Sequence, residues 1–247
     1  MTAGSPDGGS IGPDTESVRL LLGDRLPLVE RYARMLADQG VVRGLVGPRE
    51  VPRLWERHLL NSAAVAPFLP DSGTVVDLGS GAGLPGVVLA CLRPDLHVVL
   101  VEPMLRRCVW LEEVAGALEL SEVEVRRGRA EELTGQLSGD VVTARAVAPL
   151  DRLAGWALPL CRVGGSLLAL KGERAQDELD AARPVLAPLG GDDGEVLMAP
   201  TVPEIPATSV VRVRKVAPGV RVTGGGPPSR QERPGRRAGR SARRQRS

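Results

Sequence analysis

Residues 75–86 read VVDLGSGAGLPG: an apolar, β-branched run that ends in glycines at 79, 81 and 83 and opens into a helix-forming stretch. No other segment constrains the fold as tightly. Without Cβ atoms the turn lets a ligand lie against the backbone. The helix that follows adds free N–H donors and the positive end of its dipole. In an open α/β sheet such a turn sits at the carboxyl end of the first strand, where nucleotides bind. The pattern alone is ambiguous, because Gly81, Gly83 and Gly86 also satisfy the dinucleotide fingerprint G-x-G-x-x-G. A P-loop is excluded, since no Gly-Lys-Ser/Thr follows, and a tight turn with no ligand is the plain alternative.

Two acids favour S-adenosylmethionine. Asp77 lies inside the end of the strand, just before the glycines. A pyrophosphate needs no anion there, whereas an acid attracts the ammonium of a methionine moiety, directly or through water. Glu102 ends the next apolar run, HVVLVE, and can accept both hydroxyls of a ribose. Enzymes that use NAD share that second acid, so Asp77 and the glycine register are what discriminate.

The surrounding pattern sets the architecture. Apolar strands at 74–79, 97–102, 123–128, 140–145 and 164–172 alternate with helical stretches at 84–92, 104–118, 150–160 and 173–186. Apolar strands alternating with helices imply an α/β, doubly wound parallel sheet covered on both faces. Residues 209–216 alternate like a partly exposed strand. Upstream, helical spacing over 15–39, broken or kinked at Pro27, and again over 49–68 predicts a helical cap. The expected divisions are a disordered start (1–14), the cap (15–70), the sheet domain (71–216) and a disordered basic tail (217–247).

The net charge of +2 conceals an asymmetry. Residues 221–247 hold nine arginines and one acid, Glu232, while the preceding part has more acids than bases. An acidic body with a basic tail suits a polyanionic partner, though such a tail also occurs as a solvated passenger. Cys91, Cys108 and Cys161 are widely spaced with no CxxC, which predicts a reducing, cytoplasmic setting and no zinc site. The polar, acidic N-terminus does not read as a targeting peptide. No apolar run approaches the roughly 20 residues that cross a bilayer, so no membrane contact is expected.

DLGSGAGLPG, VEPMLRRCVWLEE, GRAEEL, ARAVAPL and ALKG, in that order, resemble the bacterial glucose-inhibited division protein B family, and LWERHLLNSAAVAPFL resembles its RHxLDS helix. The resemblance spans about residues 15–216, with Asn61 where many members have Asp. It implies a Rossmann-like S-adenosylmethionine-dependent methyltransferase that acts on N7 of a guanine in 16S ribosomal RNA, free or in the small ribosomal subunit. Carried onto this sequence, it implies that Gly79, Gly81 and Leu84 touch the cofactor, that Glu102 binds its ribose, and that Ala130 and Glu131 hold its adenine. Arg145 would contact the cofactor carboxylate or the RNA. Arg57, His58 and Asn61, on one helix face, and Lys171, at a strand end, would meet the substrate.

The chemistry asks for no catalytic residue, only positioning, because guanine N7 has a lone pair and no proton. Amino-nitrogen methylation would call for Asp/Asn-Pro-Pro-aromatic after the fourth strand, where the chain reads ARAVAPL. Pyrimidine C5 methylation would need a cysteine nucleophile, and none lies between Cys108 and Cys161. The alternatives are a small-molecule methyltransferase and a non-catalytic RNA-binding or assembly factor. Trp55, Trp110 and Trp156 read as core.

Overall fold

In the computed structural model, which describes residues 11–219, the glycine-rich turn joins the central strand of a seven-stranded sheet to a helix. The strands are β1 (Gly73–Leu78), β2 (Leu96–Glu102), β3 (Val123–Arg127), β4 (Gly139–Arg145), β5 (Cys161–Lys171), β6 (Glu195–Ala199) and β7 (Thr208–Arg214). They lie in the order β3-β2-β1-β4-β5-β7-β6, with β1 to β5 parallel and β7 antiparallel to both its neighbours. The chain builds outward from β1 to β3, then returns to start β4 on the other side of β1. The strand order therefore reverses between β1 and β4, and a crevice opens there at the carboxyl ends.

Among the described residues eight α-helices surround the sheet: α1 (Glu16–Leu22), α2 (Leu26–Gln39), α3 (Asn61–Ala63), α4 (Gly86–Leu92), α5 (Leu105–Ala117), α6 (Ala130–Leu133), α7 (Leu150–Ala157) and α8 (Ala175–Leu186). Strand side chains alternate between two cores, as a period of two requires. Val75, Val98 and Leu100 pack with α4, α5 and the N-terminal helices, while Val76, Val99 and Val101 pack with α6, α7 and α8. Tyr32, Leu36, Leu59, Leu60 and Val65 belong to the same cluster as Val75 and Val87, so the cap shares its core with one face of the sheet.

The structure departs from the sequence reading in the cap, at the edge of the sheet and at the inner ends of the two terminal segments. The stretch over 49–68 is not one helix. It runs as a 3-10 turn (Val51–Arg53), a π-helical turn (Trp55–Leu60), α3 and a second 3-10 turn (Ala66–Phe68). Pro52 and Pro67 each stand second in a 3-10 turn, among the first N–H positions, where a missing donor is tolerated. The strand β6 had no counterpart in the sequence reading. It is a short edge strand, held by β7, in which Glu195 and Met198 are exposed, Val196 and Leu197 half-buried and Ala199 buried.

Residues 11–14 and 217–219 contact the body: Ile11 packs on the core, Thr15 N–H reaches Gly12 O at 3.1 Å, and Ala217 N–H reaches Gly190 O at 3.2 Å. The rest of the expected disordered start and the basic tail lie outside the described residues. Cys91, Cys108 and Cys161 are buried free thiols. Among the described residues no helix is long and apolar enough to cross a membrane.

Candidate cofactor and acceptor site

The glycine turn is held from three sides. Gly79, Gly81 and Gly83 all take positive φ, at 71°, 58° and 108°. Gly79 and Ser80 N–H both donate to Val101 O, at 2.9 and 3.1 Å, which fastens the turn to the end of β2. A Cβ on Gly79 would meet Val147 Cγ2 at 2.9 Å. Beneath the turn, Tyr32 Oη and Trp110 Nε1 both donate to Ala82 O at 2.8 Å, and Arg43 lies 5.3 Å from the Trp110 ring centre. Trp110 is core, as expected, but it also clamps the turn. Tyr32 was missed by sequence reasoning. The available signal was chemical: the chain has one tyrosine, and a buried phenol needs a hydrogen-bond partner.

Glu102 is the hub of the first cavity, which measures about 360 Å³. It is 2% exposed, and its two oxygens accept from Gly81 N–H (3.1 Å) and Met104 N–H (2.9 Å), with Arg107 3.6 Å away. A carboxylate oxygen has two acceptor sites, so capacity remains on the cavity side for a diol. Gly79, Ala130, Glu131, Arg145 and Val147 line the same cavity. Ala130 is buried and Glu131 exposed, both in the first turn of α6. The carboxylate that caps that helix is Glu132, whose Oε2 accepts Arg129 N–H at 2.9 Å, so Glu131 is left facing the cavity. Leu84 and Gly81 line a smaller space of about 250 Å³ on the other side of the turn, with Glu50, His58 and Arg145.

Asp77 is fully enclosed and lines none of these spaces. Its Oδ2 accepts Gly86 N–H at 3.1 Å at the start of α4, while Oδ1 is buried without a partner. Burial pushes its pKa up from 3.8 to about 6. Because the folded value lies above the unfolded one, the charged form costs stability above pH 6, and that cost fades as the pH falls toward 4. Asp77→Asn is therefore expected to stabilise the fold at pH 8 by up to about 3 kcal/mol, a gain that shrinks by pH 5. Denaturant titration of both proteins at the two pH values checks this, and a pH-independent difference contradicts it.

Arg145, at the end of β4, stands where the cavities meet, and Ala146 after it takes φ 54°. Positive φ at a non-glycine residue is a strain that clusters at functional positions. Arg145 forms no ion pair among the described residues, with Asp151 or any other acid. It donates from Nη1 to His58 Nδ1 at 3.0 Å and to Arg57 O at 3.4 Å. The other ring nitrogen, His58 Nε2, is 2.8 Å from Glu50 Oε2, and Glu50 Oε1 is 3.4 Å from Arg57 Nη1. Burial first, then the Arg145 charge, holds the imidazole below its usual pKa and so neutral near pH 7. Glu50 was missed because it sits in a loop with no local pattern.

A second cavity, about 470 Å³, lies beyond the Arg145–Val147 segment and is bounded by Asn61, Pro149, Lys171 and Glu178. Arg57, Asn61 and Lys171 also border a third space of about 620 Å³ toward the β6–β7 hairpin. Asn61 is tethered by Nδ2 to Thr208 Oγ1 at 2.9 Å. Lys171, read from the sequence as a cation for the substrate, is not free. Its Nζ is 2.7 Å from Glu178 Oε2 and 2.8 Å from Ala148 O, and its side chain is 9% exposed. Glu178 Oε2 also accepts Leu150 N–H at 3.0 Å, so the pair fastens the 146–149 segment to α8. Trp156 faces the first cavity rather than lying wholly in the core.

The family model for rRNA small subunit methyltransferase G matches residues 25–199. Ribosomal RNA small subunit methyltransferase G of Thermobifida fusca is 59% identical over 199 residues, covering 81% of this chain and 84% of that one. The protein of the same name from a Nocardioides strain is 55% identical over 201 residues, covering 81% and 80%. Among solved structures, NSun6 from Pyrococcus horikoshii with SFG aligns with a TM-score of 0.50 at 13% identity, over 65% of this chain and 52% of that one. That likeness is one of fold: a Rossmann-like methyltransferase sheet.

Proposed function

The chain belongs to the rRNA small subunit methyltransferase G family, and from that premise we propose that it transfers a methyl group from S-adenosylmethionine to N7 of a guanine in 16S ribosomal RNA. The observation that carries this reading is the shared wall. The cavity around Glu102 and the cavity around Asn61 are both lined by Arg145, Ala146 and Val147, so a donor in one and an acceptor in the other lie against the same segment.

S-adenosylmethionine fits what the first cavity offers. Glu102 takes the ribose hydroxyls, and Ala130 and Glu131 flank the adenine. Gly79 borders both this cavity and the smaller space lined by Gly81 and Leu84, so the amino-acid end has room along the backbone of the turn. Asp77, enclosed beneath the turn and bordering none of the cavities, supports the glycine turn through Gly86 N–H rather than meeting the ammonium. When bound, the cofactor supplies an electrophilic sulfonium methyl. The protein's work is then to orient guanine N7 in line with that methyl, and no base is required. Asn61 and the Lys171–Glu178 pair shape the acceptor cavity, and Arg57 borders its outer mouth. Acting on ribosomal RNA places the protein in the cytoplasm.

Titration calorimetry with S-adenosylmethionine tests the donor half. Micromolar binding that is lost in Glu102→Ala supports it, and no binding by the wild-type protein refutes it.

The arginine-rich segment 221–247 supplies contacts to RNA phosphates on this reading. Its deletion is expected to leave cofactor affinity and thermal stability unchanged. RNA affinity should fall at low salt, with a shallower slope of log affinity against log salt. Binding across a salt series measures both, and equal slopes would reduce the segment to a solvated appendage.

A further inference from the structure

Arg145 carries more donor capacity than the fold uses. Its Nη1 is spent on His58 and Arg57 O. Its Nε and Nη2 donate to nothing among the described residues, and the side chain borders three cavities at once. Guanidinium Nε and Nη2 form the fork that takes an oxyanion in two parallel bonds. A long side chain with three open donors would sample many orientations unless something fixed it.

The fixing device is visible. Arginine has no acceptor, so the 3.0 Å contact from Nη1 requires a lone pair on His58 Nδ1. The ring proton therefore sits on Nε2, where the Glu50 carboxylate accepts it at 2.8 Å. Were the tautomer reversed, Nδ1–H would confront the guanidinium and the contact would be lost. The neutral state of the buried ring agrees with this arrangement. Glu50 approaches from the loop before the π-helical turn, and that turn places Arg57 O and His58 side by side under Arg145.

We propose that Glu50 is a positioning residue: by fixing the His58 tautomer it aims the open fork of Arg145 at the junction of the cavities, where the fork receives an oxyanion. The oxyanion is the carboxylate of the cofactor's amino-acid end or an RNA phosphate. This rests on the methyl-donor reading given above for the first of these sources only.

The test compares calorimetric affinities for S-adenosylmethionine and its decarboxylated analogue in the wild type, Glu50→Leu, Glu50→Gln, His58→Phe and the Glu50→Leu/His58→Phe double variant. RNA affinity is measured in parallel, and thermal melts confirm folding. A charge-assisted bond accounts for roughly tenfold or more in affinity. The wild type is expected to prefer the carboxylate-bearing compound. Glu50→Leu should reduce that preference about tenfold, and Glu50→Gln, which still accepts the Nε2 proton, should keep most of it. His58→Phe should match Glu50→Leu, and the double variant should lose no more than either single one. If the preference is unmoved while RNA affinity falls about tenfold with the same pattern, the oxyanion is a phosphate and the relay stands. If neither affinity moves in Glu50→Leu, if glutamine fails as badly as leucine, or if the two losses add in the double variant, the relay is overturned. A wild-type protein that binds neither compound removes the methyl-donor reading instead, and the RNA arm still decides the relay.

Discussion

Gly79→Val is expected to lower affinity for S-adenosylmethionine by at least about a hundredfold, the sum of a strained backbone and a filled cradle. Gly79 sits at φ 71°, where a β-branched residue is a steric outlier. The new Cβ would lie 2.9 Å from Val147 Cγ2, in the wall common to both cavities. Either the turn shifts off Val101 O or the 146–149 segment moves outward, and both disturb the donor site. Calorimetry on a variant shown to be folded by its melting transition measures the effect. Affinity within a few-fold of wild type would mean that the cofactor does not lie along this turn.

Lys171→Met is expected to cost about 2–3 kcal/mol of stability together with most of the turnover, because it breaks a largely buried ion pair. The cost falls below that of a fully buried pair because Glu178 is 29% exposed. Without the ammonium, Glu178 keeps only Leu150 N–H on Oε2, and Ala148 O loses its donor. The segment that separates the two cavities is then no longer bolted to α8. Chemical denaturation and a methyl-transfer assay give the two quantities. Loss of RNA affinity with unchanged stability would restore the simpler role, a strand-end cation for the substrate.

The difference between those two roles shows what the sequence could and could not convey. The sheet was legible because a buried strand needs only a short apolar run and a helix only its spacing. The glycine turn and Glu102 were legible because their chemistry is local: missing Cβ atoms before a helix, and an acid at the next strand end. Lys171 was correctly placed at the carboxyl end of β5, yet its partner Glu178 lies on α8 across the cavity mouth. Nothing in the spacing says whether an ammonium at such a place will be free or spent. Tyr32 and Ala82 are 50 residues apart, and His58 and Arg145 are 87 apart. Contacts of that range are set by how the cap docks on the sheet. The second stretch of the cap, 49–68, was read as one helix, whereas its proline-framed 3-10 and π-helical turns bring Arg57 O and the His58 ring under Arg145. The edge strand β6 was missed because its apolar run, Val196–Ala199, is short and unalternating between polar loops, and pairing with β7 together with packing of Val196, Leu197 and Ala199 on the two cores holds it in place.

The most direct test of the central claim is transfer itself. The purified full-length chain is incubated with methyl-labelled S-adenosylmethionine and with 16S ribosomal RNA or small ribosomal subunits from cells lacking the activity. The labelled nucleotide is then mapped and identified by mass spectrometry. The account predicts stoichiometric label at a single guanine, on N7, and loss of that label in Glu102→Ala. Label on another atom or spread over many nucleotides would contradict it, as would a protein that binds the cofactor and leaves both RNA substrates unmodified.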